Sequence, residues 1–177
     1  MEAAGVQRVV VPAKAGAMTG DPVADFASVY AAQRDRLARA LAIAVGDDAL
    51  AAEAVDEAFT RALHRWQLVG TFDEPQAWVY RTAQNWATSR FRRRSRDRKY
   101  ATRVAQPDAI DAAPADPALA AALRDLPVEH RNVLILRYYL DWSIAATAEA
   151  LEVSPGTVKS RTNRALNELN RRLGDQP

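Results

Sequence analysis

Near its C-terminus the chain carries two helical segments separated by three residues, and this spacing constrains the fold more than any other feature. Residues 143–151 favour a first helix, residues 152–154 form the break, and residues 155–173 favour a longer second helix. Ser154 is a good N-cap, and Pro155 suits the first helical position because its missing N–H would have no partner there. Residues suited to a core recur at helical spacing along the second helix: Val158, Thr162, Ala165, Leu169 and Leu173. The pattern predicts a helix-turn-helix.

The opposite side of the second helix is rich in hydrogen-bond donors. Its members are Thr157, Lys159, Ser160, Arg161, Asn163, Arg164 and Asn167. Side chains of this kind can contact base edges and phosphates in a major groove. A merely solvated polar face is the alternative, and this helix by itself does not decide between the two.

The rest of the chain also has helical periodicity, with no strand alternation. One stripe runs from Asp25 to a stop at Gly46, a second from Val55 to Trp66, and a third segment from Pro75 to about Phe91. Residues 106–117 hold three Pro, three Asp and four Ala, which is typical of a linker. We therefore predict an all-α fold of two small helical domains, 21–105 and 118–174, joined by a flexible Pro/Ala/Asp linker. Residues 1–20 are predicted to be a disordered tail.

Composition excludes several classes of protein. The chain has no Cys, so it has neither disulfides nor a thiolate metal site. The apolar run 9–11 ends at Pro12 and is too short for a signal peptide or a membrane span, which predicts a cytoplasmic protein without membrane contact. Met1 and Met18 are both candidate starts. With two His and no glycine-rich phosphate loop, metal-ligand cluster or nucleophile elbow, we expect no enzyme, no catalytic residue, no cofactor and no metal.

Charge is unevenly distributed, although the net charge is only +2. Residues 47–57 contain five acids and no base, whereas residues 81–103 contain nine bases and the single acid Asp97. The acidic segment suits a protein partner, and the basic segment suits phosphate.

Four segments, taken in order, resemble a known family. They are "AAEAVDEAFTRAL" (51–63), "AWVYRTAQNWATSRFRRRSR" (77–96), "LRDLPVEHRNVLILRYYL" (123–140) and "VSPGTVKSRTNRAL" (153–166). Together they resemble the extracytoplasmic-function (ECF) sigma factors of bacterial RNA polymerase, within the sigma-70 family, over about residues 25–173. The resemblance implies an alternative sigma factor that binds core polymerase, at the β′ clamp helices and the β flap, and promoter DNA. An anti-sigma factor is a further implied partner.

The resemblance also implies roles for particular residues. Core polymerase would dock on Glu53, Asp56, Glu57, Phe59 and Arg61. The −10 element would be melted and captured by Trp78, Asn85, Arg90, Arg92, Arg93 and Arg94, with 86–94 forming a base-capturing loop. The −35 duplex would be read by Thr157, Lys159, Ser160, Arg161, Asn163 and Arg164, of which Thr157 and Arg161 would hold phosphates.

Other interpretations of the same residues remain open. Glu57 and Arg61 can form an i,i+4 pair on a solvated face, with Phe59 in the core. Trp78 can pack rather than wedge the duplex, and the arginine run can be an unspecific nucleic-acid patch. At the level of function, the alternatives are a free-standing helix-turn-helix regulator and a helical adaptor protein.

Two positions depart from the family pattern. The first helix of the helix-turn-helix, beginning Ser143-Ile144-Ala145-Ala146-Thr147, lacks the usual acidic pair. Glu152 occupies the turn position where the family commonly has Gly. If that position requires a positive φ, Glu carries a strain of about 1 kcal/mol or more.

Overall fold

The computed structural model describes residues 22–98 and 116–174, and within these ranges the regular structure is helical, without strands. The first range, called here the N-terminal half, contains helices α1 to α4. The second, the C-terminal half, contains α5 to α8 and a π-helical turn. In chain order these are α1 (Pro22–Val45), α2 (Asp48–His64), α3 (Trp66–Val69), α4 (Pro75–Arg98), α5 (Pro117–Arg124), α6 (Val128–Leu134), the π turn (Ile135–Tyr139), α7 (Ile144–Leu151) and α8 (Pro155–Gly174). The predicted all-α fold is confirmed.

The junction of α1 and α2 follows from local sequence. Gly46 has a φ of +79°, a conformation that side chains with a Cβ rarely adopt, and its N–H donates to the carbonyl of Ala42 at 2.7 Å. Asp47 then caps α2, because its carboxylate accepts the Leu50 N–H at 2.8 Å. The two helices therefore turn back on each other and pack extensively.

The N-terminal half has a core of alanines and larger apolar side chains. Small side chains such as Ala51, Ala54 and Ala58 are fully buried and let α1, α2 and α4 approach closely. An aromatic cluster closes one end of this core, with Phe59 edge-on to Phe26 and Tyr30, and Trp66 edge-on to Phe26.

The helix-turn-helix lies where the sequence predicted it. Ser143 caps α7 by accepting the Ala146 N–H at 3.0 Å, and Ser154 caps α8 by accepting the Thr157 N–H at 3.1 Å. Val158 and Ala165 are fully buried, so the inward face predicted for α8 is confirmed at its centre. A small cluster of the C-terminal half is formed by Leu126, Val133, Leu134 and Ala165.

The segment between α6 and α7 is not a continuous α-helix. After Leu134 the chain widens into the π turn, in which the Leu140 N–H donates to the Ile135 carbonyl at 3.0 Å. The extra residue in this turn leaves Leu140 and Trp142 both buried and the intervening Asp141 exposed. Arg137 donates to the carbonyl of Trp142 and fixes the exit of the turn.

The two halves pack against each other through a shared apolar core. Contacts join α4 to α7, and α1 to both α6 and the π turn. Leu136, Leu140 and Trp142 belong to the same buried cluster as Leu37 and Tyr80. Most of the predicted linker, 106–117, and the tail 1–20 lie outside the described residues. Among the helices that are described, none combines the length and apolarity needed to cross a bilayer.

Candidate nucleic-acid and protein interfaces

The outer face of α8 presents polar side chains to solvent. Lys159, Ser160, Asn163 and Arg164 are exposed, and the side chains of Lys159, Asn163 and Arg164 form no hydrogen bond or ion pair with any described residue. Thr157 and Arg161 are half-buried, and the Thr157 hydroxyl lies 2.9 Å from the Ser154 hydroxyl at the cap. Of the six residues predicted to contact the −35 element, four therefore lie on the exposed face of α8, and Thr157 and Arg161 are less exposed.

The turn that sets the angle of α8 has a strained residue. Glu152 has a φ of +53°, in the left-handed region, and closes the C-terminus of α7 through an N–H bond to the Glu149 carbonyl at 3.3 Å. The position therefore does require a positive φ, as its place in the family pattern suggested. The Glu152 carboxylate forms an ion pair with Arg81 of α4 at 3.6 Å.

The basic end of α4 is helical, whereas a loop was predicted over residues 86–94. Arginine has high helix propensity, and Thr88 and Ser89 donate to the carbonyls of Gln84 and Asn85, so nothing in the segment ends the helix. Arg92 and Arg93 are exposed, and the side chain of Arg94 lies outside the described residues.

Arg90 is already engaged by two neighbours. Its guanidinium lies 5.1 Å from the centre of the Trp86 ring and 3.3 Å from the Glu53 carboxylate. Beside it, Phe91 is 58% exposed, which is unusual for a phenylalanine. A flat exposed ring among arginines can stack on an unpaired base. Phe91 is not among the residues predicted to contact the −10 element, although its place beside the arginine run is a usable signal.

Two other residues predicted to contact the −10 element differ in exposure. Asn85 is exposed on α4. Trp78 is partly buried and packs against the shared core, so most of its surface serves the fold. The alternative that Trp78 packs is supported, while its remaining surface stays accessible.

The three acidic residues of α2 predicted to meet core polymerase are each paired within the chain. Arg34 holds Asp56 through two hydrogen bonds of 2.9 and 2.8 Å, Glu57 accepts from Arg61 at 2.8 Å, and Glu53 faces Arg90. The bonds to Asp56 raise the pKa of Arg34 above its usual value. The i,i+4 pair of Glu57 and Arg61 is confirmed, yet the acids stay between 39% and 48% exposed at their side chains. A half-exposed carboxylate keeps lone pairs for a partner.

Phe59 lies inside the helix bundle. It is 1% exposed and is surrounded by Phe26 and Tyr30, so it supports α2 from within and does not touch the surface that a partner would meet. Leu63 and Leu68, by contrast, are 49% and 57% exposed beside the end of α2 and offer the apolar surface that Phe59 does not.

Comparison with known proteins agrees with this arrangement. Residues 117–169, from α5 into α8, match the family description "Sigma-70, region 4". The chain is 35% identical over 132 residues to the ECF RNA polymerase sigma factor SigL of Mycobacterium tuberculosis, covering 70% of this chain and 75% of that one. It is 30% identical over 154 residues to the RNA polymerase sigma-E factor of Streptomyces coelicolor, covering 85% and 87% respectively.

The fold has also been observed experimentally. The sigma factor RpoE of Bartonella quintana, solved in complex with the anti-sigma factor NepR, matches with a TM-score of 0.71 and 22% identity over 86% of this chain and 99% of that one. CnrH, solved in complex with the cytosolic domain of CnrY, matches with a TM-score of 0.60 and 25% identity over 89% and 93%.

A two-part helical fold ending in an N-capped helix-turn-helix, with relatives at this level of identity and coverage, defines a bacterial transcription initiation factor. The chain belongs to the ECF RNA polymerase sigma factors and acts as an alternative sigma factor that directs transcription initiation.

Proposed function

We propose that this sigma factor divides promoter reading between two helices. The exposed face of α8 reads the −35 duplex, and α4 holds the opened −10 element. The observation that carries the proposal is the row of unpartnered donors on α8, held at a defined angle by the capped turn. In this scheme the N-terminal half corresponds to region 2 and the C-terminal half to region 4.

On α8 the chemistry separates specificity from affinity. Arg164 and Lys159 can donate to guanine N7 and O6, and the Asn163 amide can donate to adenine N7 and accept from adenine N6. Thr157 and Arg161 are only partly exposed on α8. They suit phosphate contacts, which depend on salt concentration and not on base sequence.

On α4 the exposed Arg92 and Arg93 suit the phosphates of a single strand, and Phe91 suits stacking on a base. Asn85 lies on the same helix, about two turns before Arg92 at 3.6 residues per turn. The unspecific patch proposed as an alternative would use the same arginines but would have no need of an exposed ring.

Core polymerase docks on α2 in this proposal. The half-exposed Glu53, Asp56 and Glu57 provide the negative charge, and their internal pairs fix the carboxylates in place before docking. Such complementarity sets register and association rate more than affinity. The factor itself is non-enzymatic, works in the cytoplasm where the polymerase is, and leaves catalysis to the polymerase.

An anti-sigma partner is also proposed, because RpoE of Bartonella quintana is bound to one. An apolar groove of about 810 Å³ between the two halves suits such a partner. Its lining comes from α1 on one side and from α5, the π turn and α8 on the other, including Ile43, Leu119, Leu123, Tyr138 and Leu166.

Run-off transcription on a genomic promoter library tests the proposal. Core polymerase alone is compared with core polymerase plus this protein. New start sites that share two upstream boxes are expected. Specific duplex binding by the protein alone, with no new starts, would favour the free-standing regulator. An absence of DNA binding in both settings would favour the adaptor.

Substitution of Arg164 by Ala separates base reading from charge. We expect −35 binding to weaken by about 1–3 kcal/mol and the preference at one base pair to relax. Arg171→Ala is the matched control, because it removes the same charge from the same helix at a side chain held by Glu168. Equal losses on all sequences would assign Arg164 to phosphate instead.

Substitution of Glu57 by Lys tests the docking surface. Binding to core polymerase should weaken while the helical content stays unchanged. Asp73→Lys, which makes the same charge change at an exposed position outside the helices, should leave binding unchanged. Unaltered affinity of Glu57→Lys would place the interface elsewhere.

A further inference from the structure

The polar contacts across the shared core form a connected set. Besides the Arg81–Glu152 pair, the Tyr80 hydroxyl donates to the Asn132 side chain at 3.4 Å. Arg131 donates to the Ala44 carbonyl at 3.0 Å, at the end of α1. Around them the Trp142 ring is edge-on to Tyr80, with ring centres 5.7 Å apart. Each contact joins the C-terminal half to the N-terminal half.

The Arg81–Glu152 pair is the member of this set that the sequence had no local reason to provide. Arg81 is 8% exposed, so its charge is largely removed from water and needs a counter-charge. Glu152 supplies that charge from a position where glycine would avoid the strain of a positive φ. The strain of about 1 kcal/mol is thus accepted at the residue that reaches the other half of the molecule.

In this packed arrangement α4 and α8 are too close together to contact two promoter elements at once. Helix α7 contacts both α4 and α8, and packed helix axes are about 8–10 Å apart, so α4 and α8 lie within about 20 Å of each other. Elements about two helical turns apart are separated by roughly 70 Å of duplex. The two halves must therefore separate before both can be read.

We propose that Arg81 and Glu152 form an intramolecular latch, which holds the helix-turn-helix against the N-terminal half until the promoter complex forms. The latch closes the chain without any partner protein. Its opening uncovers the Tyr80 and Trp142 rings and the Arg81 guanidinium, all on surfaces buried in the closed form. The need for opening rests on the proposed reading of two elements, whereas the latch itself does not.

Distance measurement between the halves tests the latch on the free protein. The chain has no Cys, so single cysteines placed at the exposed Gln67 and Asn170 can take a donor and an acceptor dye. Glu152→Lys puts like charge beside the buried Arg81 and should raise the open population roughly tenfold or more, seen as a loss of energy transfer. Glu149→Lys is the matched control, with the same charge change three residues earlier in α7, and should behave as wild type.

Charge reversal separates the pair from general disruption. Arg81→Glu combined with Glu152→Lys should recover most of the energy transfer that Glu152→Lys loses. Equal transfer in wild type and Glu152→Lys, an equal loss in Glu149→Lys, or no recovery in the double variant would each overturn the latch.

The same dyes report on opening in the working complex. With core polymerase and promoter DNA added, wild type should show low energy transfer. Retention of high transfer in complexes that initiate transcription would overturn the claim that opening is required. A failure to support transcription would reject the proposed function and leave the result on the free protein standing.

Discussion

Residues 22–98 bury their apolar side chains mainly against one another, whereas residues 116–174 bury many of theirs against the N-terminal half. The first core contains Leu41, Leu50 and Phe59 from adjacent helices of one unit. The C-terminal cluster has only Leu126, Val133, Leu134 and Ala165 as buried members. Leu136, Leu140 and Trp142 instead join the larger core across the boundary. One half is therefore stabilised from within, and the other depends on its neighbour.

The largest expected effect lies in the self-contained core. Phe59→Ala removes the ring that packs against Phe26 and Tyr30 and should lower the free energy of unfolding by about 3–5 kcal/mol. Urea unfolding followed by circular dichroism measures this. Leu63→Ala, on the same helix but 49% exposed, should change stability by less than about 0.5 kcal/mol. A small effect of Phe59→Ala would mean that the N-terminal core is not the stabilising unit.

Trp142→Ala probes the dependence of one half on the other. Its cost should approach about 3 kcal/mol, because the ring is 7% exposed and edge-on to Tyr80. In Trp142→Ala, amide hydrogen exchange should accelerate in α7 and also in the part of α4 around Tyr80. In Phe59→Ala, exchange should accelerate mainly in α1, α2 and α4. Faster exchange confined to α7 would contradict the shared core.

The N-caps offer a matched pair of smaller perturbations. Asp47→Ala and Ser154→Ala each remove one side-chain acceptor from a helix N-terminus and should each cost about 1 kcal/mol. In the closed protein both losses should appear in one cooperative transition. In a Trp142→Ala background the Ser154→Ala loss should be confined to the C-terminal half. Two separate transitions in the wild-type chain would show that the halves unfold independently.

The smallest expected effect is a loss of stability of the shared core between the two halves at high pH. Burial raises the pKa of Tyr80 above its usual value, because the tyrosinate is disfavoured inside the shared core. The stabilisation from the buried, neutral ring is complete below the ordinary tyrosine pKa of about 10 and is lost as the pH rises toward the raised value. Tyrosinate absorbance should show a late-titrating group that Tyr80→Phe removes. Tyr138→Phe, at a residue 62% exposed, is the control and should leave the late-titrating group in place.

Local signals predict the ends of α1, α7 and α8 well, because a helix end depends on residues close to it in sequence. Ser154, Pro155 and Gly46 each fix a boundary through their own backbone chemistry, and the structure places the boundaries there. The positive φ of Glu152 was likewise expected on the condition that the turn needed it. Helix starts and ends of this kind require no knowledge of tertiary contacts.

The remaining features depend on residues distant in sequence. The π turn exists where Leu140 and Trp142 both gain burial, and Trp142 meets Tyr80 more than sixty positions earlier. The resemblance places Phe59 on a docking surface together with its acidic neighbours, yet the side of α2 that carries Phe59 faces Phe26 and Tyr30. The contacts of Arg90 with the Trp86 ring and the Glu53 carboxylate likewise cannot be predicted from a run of arginines in the sequence.

The groove between the halves has a thermodynamic consequence, because neither half can build it alone. Ile43 and Ala42 come from α1, while Leu119, Leu123 and Leu166 come from the C-terminal half. Any molecule that fills the groove binds only the closed form and stabilises that form by mass action. The stabilisation is about 2.7 kcal/mol when the free concentration of the molecule is one hundred times its dissociation constant. Such a molecule would silence the factor while leaving the exposed face of α8 uncovered. Inhibition of that kind would lessen as the concentration of promoter and polymerase rises, although no ligand competes for the same atoms.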